Sequence, residues 1–161
     1  DDLPSTTVDF GPLVRRAAND AAGSERAGRL FIEASEDFSV RGDVQQLEQL
    51  VRNLVDNALK YGAEDTAVTV RLQPQGTKRL RMTVTDRGEG IAPEHIPHLT
   101  RRFYRTDPGR SRASGGTGLG LAIVKHIVER HRGRLDIEST LGEGTRVTVL
   151  LPIEANSEDD A

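Results

Sequence analysis

The longest regular pattern in the chain is an apolar stripe between residues 44 and 59. Apolar side chains recur there at steps of three, one and three residues, which places them on one face of an α-helix: Val44, Leu47, Leu50, Val51, Leu54, Val55, Ala58 and Leu59. Asp43 is in the position of an N-cap, and Gly62 is in the position of a C′ residue. The pattern predicts one long amphipathic helix that buries its apolar face in a shared core.

Shorter patterns on both sides of this helix predict a sheet and two more helices. The helices are expected at 10–22 and 118–132. The strands are expected at 30–34, 67–72, 80–85, 135–139 and 146–151, with Gly76 in the turn between the second and third and Gly142 and Gly144 in the turn between the last two. We therefore predict an α/β (α+β) two-layer sandwich, in which a sheet carries helices on one face.

Composition excludes several classes of protein. The 161 residues are 35% hydrophobic, carry 22 basic and 25 acidic side chains, and include no cysteine, which excludes disulfide frameworks, thiolate zinc sites and cysteine nucleophiles. The longest apolar runs have about four residues, whereas a membrane span needs about 20. The net charge of −3 argues against nucleic acid as a partner. We expect a soluble domain at 10–153 without direct membrane contact, between a polar linker at 1–9 and a disordered acidic tail at 154–161.

Four side chains flank the apolar face of the predicted helix. Asn53, Asn57, Lys60 and Tyr61 lie at i, i+4, i+7 and i+8, so they share one stripe. Amide oxygens are suitable ligands for Mg²⁺, and a lysine supplies a point charge for a phosphate. The alternative is a solvated helix face, which an isolated N-x-x-x-N-x-x-K pattern would favour.

A D-x-G-x-G sequence follows directly after the predicted strand 80–85. Asp86 can accept a hydrogen bond from an exocyclic amine, while Gly88 and Gly90 let the backbone approach a flat base. An ordinary turn explains the same residues, because aspartate caps its own backbone and glycine takes positive φ. Both interpretations stay open on this motif alone.

A glycine-rich loop at 115–121 opens the predicted helix 118–132. Free N–H groups and the positive end of a helix dipole suit a phosphate at such a junction. Five arginines lie just before it, between Leu99 and Ser114, and long loops of this kind are usually lids or binding loops. The arginine-rich segment from Leu99 to Ser114 is therefore predicted to be a lid over a polyphosphate, with a solvated loop as the alternative.

Together and in this order, the motifs resemble those of the catalytic, ATP-binding domain of bacterial sensor histidine kinases, within the gyrase–Hsp90–kinase–MutL ATPase superfamily. The matching segments are EQLVRNLVDNALKY at 48–61 (the N box), DRGEG at 86–90 (the first glycine box), RRFYR at 101–105 (the F box), GTGLGL at 116–121 (the second glycine box) and GEGT at 142–145. The run at 122–139 is similar to the phosphate-regulon sensor branch. The F box departs from the family pattern, with Thr100 and Arg101 in place of a phenylalanine and an acid.

The resemblance implies a Bergerat-type fold, a mixed sheet with about three helices on one face and a mobile ATP lid, that binds ATP and Mg²⁺. Asn57 would coordinate Mg²⁺ with Asn53 assisting, and Lys60 would reach a terminal phosphate. Tyr61 would stack near the adenine. Asp86 would accept a hydrogen bond from the adenine amine, with Thr145 behind Asp86. Arg105 would stabilise charge on the γ-phosphoryl group and would complete a catalytic set with Asn57 and Lys60. The other nucleotide-binding residues would be Gly88, Gly90, Ile91, Tyr104, Gly116, Thr117, Gly118, Leu119, Gly120 and Leu121.

Asn53 bears on the reaction type. Superfamily members that hydrolyse ATP or phosphorylate serine resemble one another in having a glutamate there, one turn before the metal-binding asparagine. Without that base a water is poorly activated, whereas a neutral imidazole is already nucleophilic. Asp56 and Glu48 leave the predicted helix at other angles. We therefore expect an ATP-dependent histidine kinase; the alternatives are a GHKL-type ATPase and a nucleotide-binding regulatory module.

None of the four histidines has the sequence context of the family's phosphoacceptor. His95 and His98 are expected to be structural rather than a metal pair, and His131 is expected to be a favourable partner of a helix dipole. The resemblance implies an acceptor histidine on a separate dimerisation domain of the same parent kinase, and a response regulator beyond it. The isolated domain is expected to be monomeric and cytoplasmic, with a parent protein anchored in the inner membrane.

Overall fold

Two sheets and three helices make up residues 6–34, 37–100 and 120–154, the part of the chain that the computed structural model describes. The helices are α1 (Phe10–Arg26), α2 (Val44–Tyr61) and α3 (Gly120–Arg130). The strands are β1 (Thr6–Asp9), β2 (Leu30–Glu33), β3 (Ser39–Gly42), β4 (Val68–Gln75), β5 (Arg79–Asp86), β6 (Arg134–Thr140) and β7 (Gly144–Pro152). Short 3₁₀ turns lie at Ala27–Arg29 and Ile96–His98. Within this part of the chain, no helix is long and apolar enough to cross a membrane.

The main sheet has five strands in the order β2-β4-β5-β7-β6. β2 and β4 are parallel, with β3 and α2 between them in the chain, and the other neighbours pair antiparallel. The five strands expected from alternating sequence are confirmed, and Gly76 has a φ of 65° in the β4–β5 turn. The sheet is therefore mixed, as predicted.

The core lies between this sheet and α2. Seven apolar residues of α2 are buried, and α2 packs against α1, α3 and the central strands β4 and β5. Along β5 the side chains of Leu80, Met82 and Val84 point to the helices, and the residues between them point away. Each fully buried leucine or valine contributes about 1.5–3 kcal/mol. The helices cover one face of the sheet, which confirms the two-layer architecture.

α1 bends at Gly23, close to the predicted end of this helix at residue 22. Gly23 has a φ of 64°, a conformation that ends the regular helix, and one more turn carries the chain to Arg26. This bend places Arg26 against α2, where its guanidinium donates to the carboxylate of Asp56 over 3.0 Å.

A small second sheet lies outside the sequence-based prediction. β1 and β3 pair antiparallel, with Thr6 opposite Gly42, so residues 6–9 of the expected linker form a strand. Glu154 joins this sheet to the end of β7, because its carboxylate accepts from Thr7 Oγ1 over 2.7 Å and from Arg41 over 2.8 Å. Residues 1–5 and 155–161, the rest of the expected linker and tail, lie outside the described residues.

Candidate functional site

The second half of α2 carries the polar stripe predicted from sequence. The Asp43 side chain caps the helix by accepting from the Gln46 N–H over 3.0 Å, which fixes the start of the helix. Asn53, Asn57, Lys60 and Tyr61 all fall inside the helix and are half-buried. The predicted stripe is therefore helical along its whole length and lies at the edge of the core.

The start of α3 lies beside Asn57. A Cβ added to Gly120 would be 3.5 Å from the Asn57 amide nitrogen, so the α3 backbone passes close to this side chain. Leu121, the next residue, packs on the hydrophobic core and fixes this end of α3. The positive end of a helix dipole therefore lies next to a neutral amide, a combination that favours a bound anion.

Asp86 is the last residue of β5 and continues the series of β5 side chains that point to the helices. Only 9% of it is exposed, and its Oδ1 accepts from the Gly88 N–H over 2.9 Å. The strand alternation therefore brings a nearly buried carboxylate to the end of α2.

Two glycines let the turn that follows Asp86 pack closely against the end of α2. Gly62 and Gly88 form an isolated β-bridge, and the Ala63 N–H donates to the Arg87 carbonyl over 2.9 Å. A Cβ on Gly88 would collide with the Tyr61 carbonyl oxygen. Gly62 follows α2 as predicted but has an extended conformation, φ −68° and ψ 153°, and a Cβ there would lie 2.6 Å from the Ala58 carbonyl oxygen. Close approach, rather than a left-handed turn, requires glycine at both positions.

The β6–β7 turn forms the other wall of the site. Gly90 has a φ of 79°, and a Cβ there would collide with the Thr140 carbonyl oxygen. The Gly142 N–H donates to the Glu89 carbonyl over 2.7 Å. The D-x-G-x-G segment is therefore held on one side by α2 and on the other by this turn, and it is more than an isolated reverse turn.

Ser139 links three parts of this wall. Its Oγ accepts from the Ile91 N–H over 2.8 Å, donates to the Gly144 carbonyl over 2.9 Å and lies 2.8 Å from Thr145 Oγ1. Thr145 is in turn opposite Asp86 in the β5–β7 register. A chain of polar contacts therefore runs from Ile91 to the strand position beside Asp86.

Proteins similar to this chain in sequence and in fold include sensor histidine kinases. The sequence profile of the family described as histidine kinase-, DNA gyrase B-, and HSP90-like ATPase matches residues 42–155. The chain belongs to this ATPase family. The phosphate regulon sensor protein PhoR of Pseudomonas aeruginosa is 40% identical over 84% of this chain, and the sensor-like histidine kinase SenX3 of Mycobacterium tuberculosis is 42% identical over 98%. The chain spans 31% and 40% of the length of these two relatives.

Solved structures agree with this family assignment. The mycobacterial sensor histidine kinase MprB superposes with a TM-score of 0.80 at 29% identity, covering 94% of this chain and 99% of that one. Full-length ShkA in complex with AMPPNP superposes with a TM-score of 0.79 at 25% identity, covering 97% of this chain and 32% of that one. The domain corresponds to the catalytic, ATP-binding part of these sensor kinases.

The observed donors fit the ligands of this ATPase family. Asn57 offers a hard, neutral oxygen beside a helix N-terminus, which suits a magnesium-bound phosphate. Asp86 offers a nearly buried carboxylate beside glycines that admit no side chain. Among the described residues there is no cluster of three or more histidine or acidic side chains that could hold a metal.

Several predicted site residues lie outside the described residues. They are the lid and F-box residues Tyr104 and Arg105 and most of the second glycine box, Gly116, Thr117, Gly118 and Leu119. Their proposed roles rest on the resemblance of the motifs. Gly120 and Leu121 are the two residues of the second glycine box that the structure describes.

His131 packs differently from the expected charged partner of a helix dipole. It is buried, its Nδ1 lies 2.8 Å from the Ile127 carbonyl, and its Nε2 accepts from the Asp43 N–H over 3.1 Å. Burial lowers the pKa of His131 below its ordinary 6.5, although the Ile127 carbonyl and Asp43 oppose the shift. The imidazole is therefore neutral at pH 7 and joins the end of α3 to the start of α2. His95 and His98 lie in the turns around the 3₁₀ segment Ile96–His98, consistent with a structural role.

Two positioning groups of the site were missed by the sequence interpretation. One is Ser139, whose position opposite Thr145 follows only from the β6–β7 register. The other is Arg29, which donates to three carbonyl oxygens at the end of α2: Leu59 over 3.1 Å, Ala63 over 3.1 Å and Thr66 over 2.9 Å. Its partners lie 30 to 37 residues away, so no local pattern could have revealed it.

Proposed function

We propose that this domain binds Mg-ATP and transfers the γ-phosphoryl group to a histidine on a separate helical-hairpin domain of its parent sensor kinase. The observation that carries the proposal is the junction of Asp86, the end of α2 and the start of α3 in one place. This junction supports a bound nucleotide with its adenine at Asp86 and its phosphates towards Asn57. The AMPPNP bound to ShkA supports the same class of ligand.

Single residues take the following roles in this proposal. Asp86 accepts from the adenine amine, and the backbone at Gly88 and Gly90 approaches the base. Asn57, with Asn53, holds a phosphate-bound Mg²⁺, Lys60 contacts the terminal phosphate, and Arg105 stabilises charge on the γ-phosphoryl group. When bound, the metal supplies positive charge that offsets the phosphate oxygens.

Transfer to histidine balances without a base from this chain. The unprotonated imidazole nitrogen forms a bond to the γ-phosphorus while the bond from that phosphorus to the β,γ-bridging oxygen breaks, and ADP leaves with that electron pair. The other ring nitrogen keeps its proton during the transfer and releases it to solvent afterwards. A neutral imidazole has a lone pair for this attack, so positioning and charge stabilisation carry most of the catalysis.

The acidic residues of α2 favour a kinase over a hydrolase. Position 53 is an asparagine, and the two carboxylates of the helix are both in ion pairs: Asp56 with Lys60 over 3.0 Å and Glu48 with Arg16 over 3.5 Å. Each carboxylate is already bound to a cation, and Asp56 also accepts from Arg26 over 3.0 Å, so neither is free to take a proton from a water. A water at the γ-phosphate would therefore be poorly activated.

Transfer of label from γ-labelled ATP tests the proposal. The isolated domain is incubated with labelled ATP and Mg²⁺, with and without the parent's His-bearing domain added in trans. We expect an acid-labile, base-stable adduct on the added domain and little free phosphate. Steady phosphate release without labelled protein would indicate a hydrolase, and binding without either product would indicate a regulatory module.

The partners and the cellular location follow from the same proposal. We propose that the phosphohistidine domain passes its phosphoryl group to a response regulator and that this domain works in the cytoplasm, with its parent anchored in the inner membrane. Because dimerisation would belong to the hairpin domain, the isolated domain is proposed to be a monomer.

A further inference from the structure

Lys60 is held by an ion pair on the side of α2 that faces α1. Its Nζ lies 3.0 Å from Asp56 Oδ2, one helical turn earlier, and the other carboxylate oxygen of Asp56 accepts from Arg26 over 3.0 Å. One carboxylate therefore bridges two cations. The three side chains are 29–35% exposed, so solvent screens the contacts only in part.

Arg26 is fixed by the bend in α1. Besides Asp56, its guanidinium donates to the Ala21 carbonyl over 2.6 Å, across the break at Gly23. The second cation of the bridge therefore has a position of its own, set by α1 rather than by Lys60. Because Arg26 also binds the Asp56 carboxylate, it weakens the electrostatic attraction between Asp56 and Lys60.

We propose that Asp56 is a specificity-determining residue that competes with a terminal phosphate for Lys60 and so lowers the affinity for nucleoside triphosphates. This inference rests on the proposed function, in which Lys60 contacts that phosphate. A phosphate that binds the Lys60 ammonium must weaken or share the contact of that ammonium with the Asp56 carboxylate. The phosphate is also repelled by this carboxylate, which carries a negative charge nearby. The penalty grows with the phosphate charge close to Lys60 and is therefore larger for ATP than for ADP.

Replacement of Asp56 and replacement of Arg26 should change the affinity for Mg-ATP in opposite directions. Asp56→Asn keeps the shape of the side chain and removes the competing charge, so Mg-ATP should bind about two- to fivefold more tightly, the range expected from a partly exposed ion pair. The gain for ADP should be smaller. Arg26→Gln leaves the carboxylate to Lys60 alone, and Mg-ATP should bind more weakly than in wild type.

Calorimetric titration of Mg-ATP and ADP into five proteins tests this: wild type, Asp56→Asn, Arg26→Gln, Lys60→Met and the Asp56→Asn/Lys60→Met double variant. Thermal unfolding of each protein identifies any variant that has lost its fold. The gain from Asp56→Asn should disappear in the Lys60→Met background, because the competition requires the ammonium.

The outcomes separate this inference from the proposed function. The competition is overturned if a folded Asp56→Asn protein binds ATP no more tightly than wild type, or if its gain in ATP affinity persists in the Lys60→Met background. In either case, ATP binding by the wild type still supports the proposed function. Absence of Mg-ATP binding by wild type overturns both. Tighter ATP binding by Asp56→Asn, weaker binding by Arg26→Gln and loss of the gain with Lys60→Met support the inference.

Discussion

Asp86 and His131 are the two buried polar side chains of the described residues, and each has a hydrogen-bonding reason for its position. Asp86 accepts from the backbone of its own glycine turn, and His131 bonds the ends of two helices through both ring nitrogens. A buried polar group without such partners would be costly, so both positions tolerate few replacements. Their changes have different consequences, because only Asp86 lies in the candidate site.

Replacing Asp86 by asparagine should weaken adenine nucleotides selectively. A charged acceptor is lost opposite the adenine amine, so we expect ATP affinity to fall about tenfold or more. GTP, which has no amine at that ring position, should bind no more weakly than it does to wild type. Titration of both nucleotides measures this, with Asp136→Asn on the exposed side of β6 as the matched control. Equal losses for ATP and GTP would argue against an adenine at Asp86.

His131 should make the stability of the domain depend on pH. Its pKa is lowered in the folded state, so the unfolded chain takes up a proton more readily as the pH falls. The stabilisation is complete above pH 6.5 and is lost progressively as the pH drops through 6.5 towards the lower folded-state value.

Urea unfolding at pH 7.5 and pH 5.5 measures this dependence. The free energy of unfolding should be lower at pH 5.5, and His131→Gln should reduce the difference between the two pH values. His126→Gln is the control, because His126 is exposed on the same helix and should leave the difference intact. An undiminished difference in His131→Gln would show that other groups control the pH response.

At the scale of elements, glycines set how closely α2 and the end of β5 approach. Gly88→Ala would push a methyl group into the Tyr61 carbonyl, and overpacking of this kind costs about 1–3 kcal/mol. We expect lower thermal stability and weaker ATP binding. Gly28→Ala is the matched control, since a Cβ there meets nothing within 4 Å. If both variants behave alike, contact between α2 and the glycine turn is not what shapes the site.

The Ser139 hydroxyl ties the glycine turn to the β6–β7 hairpin. Ser139→Ala leaves the Ile91 N–H without its acceptor, at a cost of about 1–3 kcal/mol. Chemical denaturation should show this loss, and nucleotide titration should show weaker binding. Thr77→Ala, at an exposed hydroxyl in the β4–β5 turn, should change neither quantity. Wild-type behaviour of Ser139→Ala would mean that the turn holds its shape without this contact.

Local periodicity predicted most elements of the fold, because α2 and the hairpin strands each carry a regular pattern over six residues or more. β1 and β3 were missed, because each contains a single large apolar side chain, Val8 or Val40, and so carries no alternating pattern. The motif residues that the structure brings together around Asn57 and Asp86 had also been named from the sequence. Ser139, Arg29 and the Asp56–Arg26 contact were not, since they depend on strand register and helix packing that no local pattern contains.

On the scale of the whole molecule, two surfaces of the described residues are candidate ligand sites. The junction of α2, β5 and α3 is one. The other is a concave region of about 890 Å³ on the sheet face opposite the helices, lined by residues such as Thr69, Arg71, Arg81 and Asp136, with a rim that reaches Asp86 and Thr145. Arg71 on that face is already paired with Glu33 over 2.6 Å, and Arg146 with Glu138 over 2.8 Å. Charge and burial therefore favour the junction for a nucleotide.

Amide chemical shifts during a titration with Mg²⁺ and a non-hydrolysable ATP analogue decide between these two surfaces. We predict that the largest changes fall at residues 57–62, 86–91, 120–121 and 140–145, and that the outward-facing positions of β4 and β6, such as Arg71 and Asp136, change little. Largest changes centred on 69–73 and 134–138, with the end of α2 unaffected, would contradict the account of this site.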